Sequence, residues 1–222
     1  MGTLLLAAFL AAPPPAALEL ARDQQDRAAL QKLVDEDAAA AAKAPNDAEA
    51  QFRMALASSY LAEVALELRD KKLGQQAAER GVKAAEQAVA LKPDESEYYR
   101  VLGTLYGQIV SGNVLMALSY GHKALDAIDK AIAKDPKSSN AYMAHGVGNF
   151  YLPAAMGGGF ELAVADFRKA VELNPKNADA WLWLGLGLRK ENKDAEARQA
   201  IQKSIELNPR RVWAKAQLEK TK

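Results

Sequence analysis

From Ala178 to Pro209 the apolar positions fall into two helical registers separated by a polar break. Trp181, Leu184, Gly185 and Leu188 are spaced 3, 1 and 3 apart, which lays them on one face of a 3.6-residue period. In the second register, Ala195 to Leu207, Ala197, Ile201 and Ser204 return at spacings of 4 and 3. The pattern predicts a pair of helices packed face to face, with the small residues Gly185 and Ala197 at the closest approach. A glycine inside a helix costs about 1 kcal/mol relative to alanine. One held at this slot therefore signals close backbone packing, and these positions read as core.

The same order of residues recurs upstream, punctuated by prolines. Pro175 to Pro209 is 34 residues, whereas Pro136–Pro175, Pro93–Pro136 and Pro45–Pro93 are 39, 43 and 48. In residues 137–175, Tyr142 and Gly146 fill the first-helix slots, His145 takes the leucine slot and Asn149 the next aromatic one. Ala163, Phe167 and Ala170 follow in the second helix. Pro153 stops the first helix near Leu152, because the residue before a proline is pushed out of helical geometry. In residues 94–136, Tyr99, Leu102, Gly103 and Tyr106 precede Ala124, Ile128 and Ala131, with a turn at Ser111-Gly112-Asn113. Residues 46–93 match least: Gln51, Met54 and Ala55 stand in the first helix, Gly81, Ala85 and Ala88 in the second. A single helix over 18–44 is expected as an N-terminal cap, and 210–222 as a C-terminal cap. There Val212, Trp213, Ala216 and Leu218 would be buried and the Lys and Arg side chains would face out.

An aromatic, Leu-Gly three residues on, then Ala-x3-bulky and a closing proline is the order of the tetratricopeptide repeat (TPR). Residues 46–209 resemble that family over four units, most closely in the last. The resemblance implies an all-α fold, a right-handed superhelix of helix pairs whose first helices line a concave binding surface. By position, the groove-facing side chains would be Phe52, Leu56 and Tyr60; Arg100, Thr104 and Gln108; Met143, Val147, Phe150 and Tyr151; and Leu182, Leu186 and Arg189. This set is mostly apolar and aromatic, so the expected occupant is a protein or peptide partner, or an apolar small solute. The chain also resembles bacterial exported TPR proteins with lengthened repeats. Among these, the T-components of TRAP-type transporters suggest a periplasmic solute-binding accessory, although the lipidation cysteine many of them carry is absent.

Composition narrows the chemistry. Half the residues are hydrophobic, and 29 basic against 28 acidic side chains leave a formal charge of +1 with no basic tract. Nucleic acid is therefore not an expected partner. Without cysteine, disulfides, thiol catalysis and cysteine zinc sites are excluded. No nucleophile–base pair, carboxylate pair or cofactor motif emerges, so neither an enzyme nor a cofactor is expected. His145 reads as a hydrogen-bonded interior histidine, and neither it nor His122 is assigned to a metal.

Residues 1–17 read as a signal peptide: Leu4–Ala12 is a nine-residue apolar run followed by small residues, with cleavage near Ala16 or Ala17. A mis-set start or a disordered tail are the alternatives, since no basic residue precedes the run. The prolines at 13–15 and the short run argue against a membrane span. Export would place the protein in the periplasm or outside the cell; otherwise it is cytoplasmic. With both ends capped, a monomer is expected. The surplus residues, 14, 9, 5 and none along the four units, are expected at the turn between the paired helices, giving one rim that slopes toward the C-terminus. Gly157-Gly158-Gly159 lacks the Lys-Ser/Thr of a phosphate loop and reads as a flexible hairpin.

Overall fold

A computed structural model of the chain describes residues 15–110 and 114–221, and these form eleven α-helices with no strand among them. In order they are α1 (Pro15–Asp23), α2 (Arg27–Lys43), α3 (Ala48–Glu67), α4 (Lys71–Leu91), α5 (Ser96–Val110), α6 (Val114–Lys134), α7 (Ser139–Tyr151), α8 (Phe160–Leu173), α9 (Ala178–Lys190), α10 (Asp194–Leu207) and α11 (Val212–Glu219). The predicted leader falls outside the described residues up to residue 14, as does the Ser111–Asn113 turn. Successive helices pack as antiparallel neighbours, and α1, α3, α5, α7 and α9 touch one another along the inner row. The architecture is an α-solenoid.

Short polar caps start the helices. Asp26, Asp47, Asp70, Ser138 and Asn177 each accept a backbone N–H from the first turn of the helix they precede. Glycine sets the spacing within pairs. A methyl group on Gly185 would lie 2.5 Å from Ile201 Cγ1 and 2.8 Å from the Ala197 carbonyl oxygen. Gly103 stands in the same relation to Ile128 and Ala124, and Gly146 to Phe167 and Ala163. In the first pair the contact has moved to the second helix, where Gly81 meets Ser58 and Leu105. The missing aromatic there is replaced by Gln51, which donates to the carbonyls of Ala41 and Pro45.

The surplus residues collect at the hairpin ends. Helices α3 and α4 have 20 and 21 residues where α9 and α10 have 13 and 14. In the next pair α6 has 21. In the third pair the helices keep ordinary lengths, and the extra chain forms a loop with a 3-10 turn, Ala154–Met156. Gly157 and Gly159 there adopt φ of 89° and 120°, which L side chains rarely adopt.

Two expectations about the ends are corrected. Residues 18–44 are not one helix: the chain breaks at Gln24–Asp26, with Gln25 at φ 55°, and Asp26 caps α2. The cap is thus a shortened helix pair, with α1 against α2 and α3. In α11 the buried face is Ala214 and Gln217, while Val212 is 41% exposed. Arg211, expected outside, is 1% exposed.

The apolar interior is divided. Among the described residues one cluster runs from Leu18 on α1 to Ala127 on α6 and a smaller one joins Ala48, Ala88 and Tyr98; two others gather α8–α10 and α9–α11. The second and third helix pairs meet where α7 packs on both α6 and α5.

Candidate functional site

The inner row brings many of the expected groove residues into contact with their neighbours. Phe52 stacks on Tyr98 of α5 at 4.6 Å. Leu56 and Phe52 share a cavity of about 90 Å³ with Leu18 of α1. The Tyr60 ring lies under the Arg22 guanidinium, 4.9 Å away. Arg100 pairs with Glu97, Thr104 donates to the Arg100 carbonyl, and Gln108 and Ser59 exchange hydrogen bonds. Met143, Val147 and Phe150 pack onto the cluster around Phe167. Leu182 and Leu186, 0% and 4% exposed, are core against Ala214 of α11, and Arg189 donates to Gln217 and Thr221. Position in the repeat places a side chain on the inner face, but a following helix there turns that face into interior. Leu182 and Leu186, expected in the groove, are therefore interior, while Arg189 is half-buried and tied to α11.

Tyr151 remains open, with 68% of its surface exposed. Its phenol is nevertheless pushed up, first by burial and then by the charge of Glu67. The residues that follow it in the chain expose side chains that repeat position did not single out. Met156, Phe160 and Leu162 are 50%, 39% and 49% exposed on the loop and first turn of α8. Beneath them Phe150 meets Tyr151, Phe160 and Trp183 edge-on at 5.2, 5.2 and 5.7 Å, and Trp183 reaches Trp213 at 5.5 Å. Lys190 lies 5.6 Å from the Phe160 ring.

Across the hollow the two ends of the coil meet in an ionic cluster. Arg211, at the start of α11, binds Glu63 at 2.6 Å and Glu67, both on α3. Arg22 of α1 pairs with Asp179 at the start of α9 at 2.9 Å, and Asn208 donates to Asp23 at 2.7 Å. Gln25 donates to Glu67 at 2.8 Å. Four carboxylates thus face two guanidinium groups. Burial raises the Glu67 carboxyl, Arg211 pulls it down and Glu63 pushes it up, leaving it at about 7. Asp179 is held below the usual carboxylate range: burial opposes its charge, but Arg22 and Arg211 outweigh it. Glu63 and Glu67, four apart near the end of α3, were the one signal in the sequence, since like charges at that spacing repel unless a cation lies between them.

The expected interior histidine is present. His145 Nδ1 lies 2.8 Å from Asp166 of α8, its Nε2 3.6 Å from Asp129 of α6, and Asn149 also donates to Asp166. No group of three or more metal-binding side chains occurs among the described residues, and no helix there is long and apolar enough to cross a membrane.

Stacked helix pairs with their first helices inward define a repeat scaffold. Residues 156–211 match the family model described as a tetratricopeptide repeat. Residues 156–211 thus carry a tetratricopeptide repeat, and the described helices together have the fold of a stacked array of such helix pairs. A thermophilic TPR protein of Thermus thermophilus superposes with a TM-score of 0.65 over 93% of this chain and 97% of that one, at 17% identity. MamA from Desulfovibrio magneticus RS-1 gives 0.47 over 87% and 96%, at 18% identity. In sequence, the chain is similar to the BBSome complex member bbs-4 of Caenorhabditis elegans, 26% identical over 131 residues. That stretch is 58% of this chain and 25% of the relative, so the match spans about a quarter of the relative's length.

Proposed function

We propose that the chain is a non-enzymatic binding module that takes a protein or peptide partner on the third repeat, where Tyr151, Met156, Phe160 and Leu162 lie open over the Phe150–Trp183–Trp213 stack. The observation that carries this reading is the exposure of four large apolar side chains within residues 151–162, two of them, Tyr151 and Phe160, on the same Phe150 ring. Exposed apolar surface gathered in this way marks interaction sites in folded proteins, and rigid aromatics are the usual anchors. Solute binding in a tunnel past Phe52 has less support. The cavity touching Phe52 measures about 90 Å³, against roughly 300–1,000 Å³ for sites that enclose small ligands.

A photoreactive residue at position 151 or 156 should crosslink to a discrete partner in the source cell, whereas one at the outward-facing Lys83 should not. Equal capture at both places would refute the assignment. A small molecule retained by the purified protein in native mass spectrometry would turn the reading toward solute.

A further inference from the structure

We propose that the ionic cluster between α1–α3 and the start of α11 is a latch that holds the coil closed on itself, that α6–α7 is its hinge, and that loss of a proton at Glu67 opens it. This concerns access to the same concave face but does not rest on there being a partner, since it is a property of the chain alone.

The geometry comes from three observations. First, the contact joins residues 144 to 189 positions apart and is made by polar groups: Arg211 with Glu63, Glu67 and the Arg22 carbonyl, and Asn208 with Asp23. Second, the apolar clusters do not run through it. Among the described residues two belong to α1–α6 and the other two to α7–α11. Third, apart from this cluster the lobes are joined by the packing of α7 on α6 and α5, where His145 and Asp129 lie 3.6 Å apart. Two apolar bodies joined at α6–α7 and tied by a salt cluster between their far ends make a clamp, whose closure can change without exposing either core.

The direction of control follows from the charges. Glu67 faces Arg211, Gln25 from the α1–α2 break, Glu63 on its own helix and Tyr151 from α7; Asp23, Asp179 and Arg22 complete the cluster. Closing buries four carboxylates against two cations, so the closed form retains a proton that an open, solvated Glu67 releases. A carboxyl whose affinity for the proton rises on closing favours closure in acid and opposes it as pH passes neutrality. With Glu67 at about 7 when closed and near the ordinary carboxylate value when open, the closing constant falls on the order of tenfold between pH 5.5 and 8.

Because the chain has no cysteine, spin labels can be placed cleanly at Gln24→Cys and Arg210→Cys, on either side of the latch. Electron–electron distance measurements should give one short separation at pH 5.5 and a growing longer one at pH 8, with unchanged circular dichroism. Glu67→Gln, a neutral stand-in, should stay short at both values, and Arg211→Met should show the long separation already at pH 5.5. A single unchanged distance in the parent at both pH values overturns the latch. A pH response that survives Glu67→Gln overturns the assignment of the proton and moves it to His145 at the hinge. Should Arg211→Met not fold, the parent and Glu67→Gln decide the matter alone.

Discussion

Asn208 donates a 2.7 Å hydrogen bond to the Asp23 carboxylate, 185 positions earlier in the chain. A solenoid built from nearest-neighbour contacts has no need of such a pair, and here it stands beside Arg211, which is 1% exposed among carboxylates. Removing that cation leaves Glu63, Glu67 and Asp23 facing one another. Arg211→Met should therefore lower stability by about 3–5 kcal/mol at pH 5.5, where the cluster is closed, the usual consequence of breaking a buried pair from one side, as read from urea unfolding. Lysine should not restore it, because one ammonium cannot replace a planar fork that serves Glu63 and Glu67 together.

The helix pairs were legible because their determinants are local. Gly103, Gly146 and Gly185 recur at one slot, and the distance between prolines shows where each hairpin grows. The break at Gln24–Asp26 was legible in principle through Asp26, a helix-capping residue, but no proline or glycine marks it. The latch was not legible: Arg22, Asp179 and Arg211 carry no spacing that periodicity detects, and their partners are fixed by the curvature of the whole stack. The groove was over-read for a related reason. Repeat position assigns a side chain to the inner face, but only the assembled chain shows that α1 covers Leu56 and Tyr60 and α11 covers Leu182 and Leu186.

Glycine packing gives a paired test. Gly185→Ala places a methyl group 2.5 Å from Ile201 Cγ1 and 2.8 Å from a backbone oxygen, and backbone yields little. Overpacking of about 1–3 kcal/mol should outweigh the gain of about 1 kcal/mol in helix propensity, so the variant should melt lower. Gly107, inside α5, has nothing within 4 Å of the added carbon, and Gly107→Ala should melt higher. Thermal unfolding followed by circular dichroism separates the two.

His145 predicts a pH dependence of stability. Its hydrogen bond to Asp166 raises its pKa above 6.5, burial works against this, and the charges of Asp166 and Asp129 add to it. The folded state therefore holds the proton more tightly than the unfolded one. The resulting stabilisation is complete below pH 6.5 and is lost as pH rises through the folded value. Glu67 acts in the same direction, so the measurement belongs in a Glu67→Gln background. There the urea midpoint should fall between pH 5.5 and 8.5, and His145→Gln should flatten the fall. An NMR titration placing the His145 ring at or below 6.5 would contradict this account.

Arg189 tests whether a residue at a groove position serves packing. It donates to the Gln217 carbonyl at 3.4 Å, the Gln217 side chain at 3.0 Å and the Thr221 hydroxyl at 3.2 Å. It thus fastens the C-terminal end of an eight-residue helix too short to persist unaided. Charge-assisted hydrogen bonds contribute about 1.5–3 kcal/mol, so Arg189→Ala should loosen α11 while leaving α3–α6 intact. Hydrogen exchange should show protection lost over Val212–Glu219 and then over Leu182 and Leu186, which that helix covers. Exchange unchanged in α11, with binding at the third repeat abolished, would return Arg189 to the groove.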